Sequence, residues 1–404
     1  MKKILLGLIA VTSILVASCS KSDGPAPGGG GNPPPVVPPD PKKSYLELAK
    51  ETRTFVTNNL MTSYFSYRVN TTTKADQCHQ WYNVSQIYAD AALIKAGDES
   101  VLAYMNSTFR FMEGFWDKRN PSGGYFASVN LDGTGASGDK FVDDNALTGM
   151  VYLEAYEVTS GADKAAYLAK ARACADWLIN SGLWDNTYGG GFWWSTAKPD
   201  KPTQSNGLAL QLFSKLYIIT SEQTYRDWAV KTDNWLRDKM YESSSGLYIW
   251  KIEGAGSGTK RYDKFTYDNA IMLEARILFG QATNEANYLA KAQAIGEAMN
   301  MILWNSAYKV YIFNTDPTQT RLNPAWCGWG TQGMIRLYEQ DKDEKWLTYA
   351  RQNIDGINRA ARNADTHAYC YFAGFAGNNR SPEIEGVDQA WMQRIQAMMS
   401  KYDK

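Results

Sequence analysis

From Lys43 onward, stretches that are apolar on nearly every side alternate with stretches that carry a single apolar stripe. Ala146–Val158, Leu208–Ile219 and Ala270–Leu278 belong to the first kind. A helix hydrophobic all round packs inside a protein, whereas a striped helix covers a surface. In the stretch that follows the first of these, Tyr167, Ala171, Cys174 and Leu178 fall on one helical face and Lys164, Arg172 and Asp176 fall off it. The pattern predicts helices at roughly 43–59, 79–96, 99–115, 142–158, 162–181, 204–220, 222–240, 266–280, 283–303, 329–340, 343–362 and 385–402, with boundaries good to about two to four residues.

These helices repeat in pairs. Asp163-Lys164-Ala165-Ala166-Tyr167-Leu168-Ala169 is echoed by Glu222-Gln223-Thr224-Tyr225-Arg226-Asp227-Trp228, by Glu285-Ala286-Asn287-Tyr288-Leu289-Ala290 and by Glu344-Lys345-Trp346-Leu347. The echoes are spaced by roughly 60 residues, the signature of stacked supersecondary units that bury their apolar faces on one another. Twelve helices alternating inner and outer predict an all-α fold, an (α/α)6 barrel of six helix hairpins. Each outer helix runs into a Gly- or Tyr-started aromatic segment before the next inner helix: Gly123-Gly124-Tyr125-Phe126, Gly189-Gly190-Gly191-Phe192-Trp193-Trp194, Gly246-Leu247-Tyr248, Tyr308-Lys309-Val310-Tyr311 and Tyr369-Cys370-Tyr371. Connectivity puts these segments and the inner-helix starts at one end of the barrel.

The residues before this pattern are of another kind. Lys2 and Lys3 precede an apolar run, Ile4 to Val16, that is too short for a stable membrane span and ends Val16-Ala17-Ser18-Cys19. The run resembles a bacterial lipoprotein signal, with residues 1–18 removed and Cys19 lipidated. Gly24 to Pro41 holds eight of the fourteen prolines and no aromatic residue, so residues 19–42 read as an anchor and tether. The expected domain is 43–404, on a bacterial membrane lipoprotein facing the periplasm or the cell exterior, a monomer that meets the membrane through its lipid alone. Lys and Arg balance Asp and Glu at 42 each, which gives no basic excess for nucleic acid. Cys78, Cys174, Cys327 and Cys370 lack metal-site spacing and could be paired or free. His79 and His367, the only histidines, lie far apart, so no metal and no cofactor is expected.

Candidate chemistry centres on Asp143-Asp144, which opens an inner helix after a Gly/Ser/Asp-rich loop. Asp is a favoured helix cap, but two adjacent carboxylates at a buried helix mouth cannot both ionise freely, and one then holds its proton near neutrality. The barrel end around them is rich in flat rings and in amides, as a pyranose requires. Trp81, Asn83, Trp193, Trp194, Asn206, Tyr267, Asp268 and Trp329 are the candidate sugar-binding residues.

The segments Phe141-Val142-Asp143-Asp144, Gly189 to Trp194, Gln204-Ser205-Asn206-Gly207-Leu208 and Phe265-Thr266-Tyr267-Asp268 resemble glycoside hydrolase family 76, the bacterial and fungal α-1,6-mannanases. The resemblance spans about residues 45 to 400. It implies endo-hydrolysis of α-1,6-linked mannan with retention, Asp143 as nucleophile, Asp144 as general acid/base, and α-mannan or a related oligosaccharide as the partner. The rival expectations are a non-catalytic glycan-binding lipoprotein of the same fold, or another (α/α)6 sugar enzyme such as a 2-epimerase.

Overall fold

A computed structural model describes residues 43–73, 75–254 and 256–403. The signal segment, Cys19 and the tether lie outside the described residues. Among those described, twelve α-helices occur: α1 (Tyr45–Asn59), α2 (Gln80–Lys95), α3 (Leu102–Phe111), α4 (Val142–Val158), α5 (Gly161–Asn180), α6 (Thr203–Thr220), α7 (Gln223–Trp235), α8 (Thr266–Thr283), α9 (Tyr288–Ile302), α10 (Pro324–Asp341), α11 (Glu344–Ala361) and α12 (Gly386–Ser400). The even-numbered helices pack in a closed ring, α2 on α4, α6, α8, α10 and α12 in turn, with α12 back on α2. Each odd-numbered helix backs one of them, and α1 backs α12, so the first helix of the barrel covers the last. This is an (α/α)6 barrel. All six inner helices are buried over most of their length, α4, α6 and α8 with largely apolar sequences and α2, α10 and α12 with polar residues such as Asp90, Gln332 and Arg394 among their buried positions.

One helix starts earlier than its apolar pattern indicates. α10 begins at Pro324, where Pro occupies a first-turn position that needs no N–H donor, and the Asn323 side chain caps the Trp326 N–H at 3.1 Å. Trp329 therefore lies inside the helix. It is 3% exposed and packs 4.0 Å from Trp391 in the core.

A small antiparallel pairing follows every outer helix, joining Met61 to Tyr67, Trp116 to Tyr125, Trp184 to Phe192, Tyr241 to Tyr248, Trp304 to Tyr311 and Arg362 to Tyr369. The second member of each pair is a buried aromatic residue whose backbone N–H donates to a side-chain amide. The acceptors are Asn83 (2.8 Å), Asn145 (2.7 Å), Asn206 (2.7 Å), Asn269 (2.7 Å), Asn353 (2.9 Å) and Gln389 (2.8 Å). Except for Asn353, each is the fourth residue of the next inner helix. In every inner-helix case its NH2 donates back to the carbonyl of the residue that precedes the helix, as Asn206 does to Pro202 at 2.9 Å. A buried backbone group left unpaired is costly, and one amide satisfies both the segment and the helix start.

A second device recurs in three consecutive units. The lysine two residues before the inner helix reaches an acid at the start of the preceding segment: Lys140 to Asp117 (2.6 Å), Lys201 to Asp185 (2.8 Å) and Lys264 to Glu242 (2.9 Å). In the next unit Leu322 replaces the lysine and Asn305 replaces the acid. Both charges are absent together, as expected where a buried charge without a partner is costly.

The far end of the barrel is closed by ions. Arg336 bridges Glu154 (2.8 Å) and Glu274 (2.9 Å), and Glu154 also meets Lys95 and Lys215. Burial alone would raise the Glu154 carboxyl, but Lys215, Lys95 and Arg336 outweigh it and hold it well below the usual range.

Candidate active site

Asp143 and Asp144 are the second and third residues of α4. The extended Phe141 precedes the helix, and the Val142 N–H donates to the Trp194 carbonyl at 2.8 Å. The Trp194 N–H donates in turn to the Asp200 carbonyl at 2.8 Å, so the aromatic segment is laced to the mouth of α4. This lacing lays the Trp194 ring against Phe141, 4.9 Å between centroids, and brings its indole N–H to both oxygens of Asp143 at 3.0 and 3.2 Å. A second donor, the Asp144 backbone N–H, reaches Asp143 at 3.1 Å.

The two neighbouring carboxyls thus sit in different environments. Asp143 is 9% exposed. Burial raises it to about 6, against the pull of the Trp194 and backbone hydrogen bonds that favour its charged form. The Asp144 carboxyl receives no hydrogen bond among the described residues. Burial, and then the charge of Asp143, raise it well above the usual carboxylate range. The chain around Asp144 is braced from the neighbouring helix. Gln80 donates to the Asp144 carbonyl at 3.1 Å and to the Thr148 hydroxyl, which itself donates to that carbonyl at 2.7 Å.

Around this pair stands an aromatic wall. Trp81 lies 5.3 Å from Trp326, and Trp326 lies 4.8 Å from Tyr267. Tyr267 feels the charges of Asp268, Asp143 and Asp200, which sets it beside the pair. Trp194, 38% exposed, offers a solvent-facing ring beside Asp143. Trp326 was invisible in the sequence pattern because a start of α10 at 329 leaves it in a loop. The Pro324 first-turn signal and the Asn323 cap were the clues that could have placed it.

Asp268 is the third residue of α8, the position Asp144 holds in α4. It is fully buried, neither oxygen has a hydrogen-bond partner, and burial, followed by the charge of Asp143, raises it well above the usual range. Four other candidates are engaged within the protein itself. Asn83 and Asn206 are wholly buried and spend their amides on backbone groups, as above. Trp193 is 6% exposed, donates its indole N–H to Asp185 at 2.6 Å and carries the Lys201 ammonium 4.6 Å over its ring. Trp329 is core, as described. An amide near an inner-helix start reads as a ligand in sequence, yet Asn83 and Asn206 serve the joint between segment and helix.

Cys78, Cys174, Cys327 and Cys370 are buried and unpaired. No group of His, Cys, Asp and Glu among the described residues is arranged to hold a metal ion. Nor is any described helix long and apolar enough to cross a membrane.

The family model for glycosyl hydrolase family 76 matches residues 47–324. A mannan endo-1,6-α-mannosidase, DCW1 of Candida glabrata, is 25% identical over 177 residues, 41% of this chain and 39% of that protein, so the match spans well under half of the relative. The solved GH76 α-mannanase of Bacteroides thetaiotaomicron superposes with a TM-score of 0.79 at 20% identity, covering 90% of this chain and 97% of that one. An inactive variant of the α-1,6-mannanase GH76A of Salegentibacter sp. HEL1_6, in complex with α-1,6-mannotriose, gives 0.70 at 19% identity, covering 89% and 99%.

Proposed function

Since the chain belongs to glycoside hydrolase family 76, we propose that it is a retaining endo-hydrolase of α-1,6-linked mannan that works by double displacement on Asp143 and Asp144. The observation that carries this reading is the asymmetry of the pair. Asp143 receives three hydrogen bonds that favour a carboxylate, and Asp144 receives none and sits against that negative charge. One group is prepared to attack and the other to give up a proton, the division of labour that retention requires.

In the first step an Asp143 oxygen bonds to the anomeric carbon as the glycosidic C–O bond breaks, and Asp144 protonates the departing oxygen. In the second, Asp144 takes a proton from water while the water oxygen displaces Asp143 and restores its carboxylate. Trp194 does two jobs in this scheme. Its N–H steadies the charge on Asp143, and its exposed ring offers an apolar face to the sugar. Trp81, Trp326 and Tyr267 provide further ring surface for the chain of mannose units. The relatives named above support mannan as the substrate class. Lipidation at Cys19 and the Pro-rich tether would hold the monomeric enzyme at a bacterial membrane, where it meets polymer too large to import.

The test is time-resolved product analysis on linear α-1,6-mannan. A ladder of oligosaccharides is expected, and mannose alone from the start would overturn endo action. Asp143→Asn and Asp144→Asn are each expected to lower the rate by at least about a thousandfold, because the two residues act as a unit. Wild-type protein that binds mannan and releases nothing would replace the hydrolase reading with that of a glycan-binding lipoprotein.

A further inference from the structure

Four buried polar atoms without a partner among the described residues share one level of the barrel. The third residues of the six inner helices, from α2 to α12, are Tyr82, Asp144, Ser205, Asp268, Trp326 and Asp388. Of these, the Ser205 hydroxyl, both oxygens of Asp268 and one oxygen of Asp388 are buried and unpartnered. The other Asp388 oxygen accepts from the Ala325 N–H at 2.9 Å, so Asp388 is half satisfied by its own neighbours. Asp268 is satisfied by nothing. Helix α6, which carries Ser205, stands between α8 and α4, so Asp144, Ser205 and Asp268 occupy one level on three successive walls.

The groups that bear on Asp268 explain its state. From α4 comes the charge of Asp143, and on its own helix Tyr267 feels Asp268 together with Asp143 and with Asp200, which Lys251 holds at 2.7 Å. At the matching level α6 offers the uncharged Ser205 and α10 offers Trp326. The cations on and against α8, Arg276 and Arg336, lie further along the helices and pair with Asp233, Glu285, Glu274 and Glu154. A fully buried carboxylate with neither cation nor donor is among the costliest groups a protein interior can hold, so Asp268 is an uncharged acid. Its raised proton affinity agrees with that.

We propose that Asp268 and Ser205 bind adjacent hydroxyls of the sugar whose anomeric carbon meets Asp143, and that Asp268 does so as a neutral acid. This rests on the hydrolase reading above. A neutral carboxyl offers one donor and one acceptor, a match for two neighbouring hydroxyls of which one accepts and one donates. Asp143 is itself only 9% exposed, so a sugar that reaches it is already inside the rim, with its ring hydroxyls at the level of Ser205 and Asp268. An ionised Asp268 could only accept, and would add a charge facing Asp143. Sugar binding therefore weakens as pH rises through the Asp268 ionisation. Asp268 is a specificity residue here, and Asp143 and Asp144 remain the reacting groups.

The experiment compares wild type, Asp268→Ala, Asp268→Asn and Ser205→Ala with α-1,6-mannotetraose, after circular dichroism melts establish that each variant folds. Asp268→Ala is expected to raise KM about tenfold or more in mild acid, the worth of one to two hydrogen bonds. Asp268→Asn keeps one donor and one acceptor, so it recovers most of that loss. Its KM also stays flat as pH rises, whereas the wild-type KM climbs as Asp268 ionises. Ser205→Ala shows a smaller rise in KM of the same sign. Equal losses in the Asn and Ala variants, or an unchanged KM in both, overturn the proposal. Calorimetric binding of the same tetrasaccharide in an Asp144→Asn background separates this from the hydrolase reading. If wild type cleaves nothing, the hydrolase reading falls, and the binding order of Asp268→Asn over Asp268→Ala still decides the role of Asp268. Equal affinities, or no binding at all, overturn it.

Discussion

At the scale of single residues, the chemistry turns on one indole N–H. Trp194 donates to both oxygens of Asp143, and its carbonyl accepts from the Val142 N–H in the first turn of α4. Trp194→Phe keeps the ring and removes the donor. A carboxylate that loses a donor is less stable, so Asp143 must rise above its present value of about 6. The acid limb of kcat/KM is therefore expected to move upward by about 1 pH unit, with activity at neutral pH falling about twofold. A pH profile of kcat/KM for the variant checks this, and an unmoved acid limb would remove Asp143 from the role of ionised nucleophile. The doublet itself was legible in the sequence, because adjacent acids at the mouth of an apolar helix are unusual. The donor was not, since nothing in the spacing of Trp193 and Trp194 says which indole turns to Asp143 and which to Asp185.

At the scale of elements, the six units solve one problem with one joint. The sequence exposed the helices, because inner and outer apolar patterns differ so plainly, and it exposed the aromatic segments. It hid the joints, where an Asn such as Asn83 or Asn206 has the same composition signal as a ligand. One unit solves the joint differently. At the fourth position of α10 stands Cys327, which cannot clamp a backbone, and Asn353 from the outer helix α11 takes over. Its amide accepts from the Tyr311 N–H at 2.9 Å and donates to the Cys327 carbonyl at 3.0 Å and to the Thr331 hydroxyl at 2.9 Å. Asn353→Ala strands these buried groups and is expected to cost about 2 to 4 kcal/mol of unfolding free energy in urea titrations. Adding Cys327→Asn restores the clamp at the position the other five units use, and is expected to return at least about 1 kcal/mol of that loss. No recovery would mean that Asn353 acts through packing, with its hydrogen bonds incidental.

Across the whole molecule, two populations of acids pull stability in opposite directions with pH. Asp143, Asp144, Asp268 and Asp388 all bind protons more tightly in the barrel than in the open chain, chiefly through burial. For such groups the native state holds the extra proton, so their drag on stability is absent below the open-chain value and grows as pH rises through the folded one. Asp117 is the reverse case. Burial would raise it, but Lys140 and then Arg119 outweigh that and hold it down to about 2, so its contribution is lost only in strong acid. The windows do not overlap. The fold is thus expected to be most stable near about pH 4 to 5, losing stability toward neutrality as these acids ionise freely in the open chain but not in the barrel. For Asp143 alone the window runs from the ordinary 3.8 to about 6. Asp143→Asn removes that drag, so it is expected to unfold about 1 to 3 kcal/mol harder than wild type at pH 7 and equally at pH 4, by urea melts at the two values. The stabilising variant is the inactive one, because the barrel holds these acids where chemistry needs them and at a cost to its own fold. A variant no more stable than wild type at pH 7 would mean that burial puts no strain on the Asp143 carboxylate, and that the barrel holds it there at no cost to its own fold.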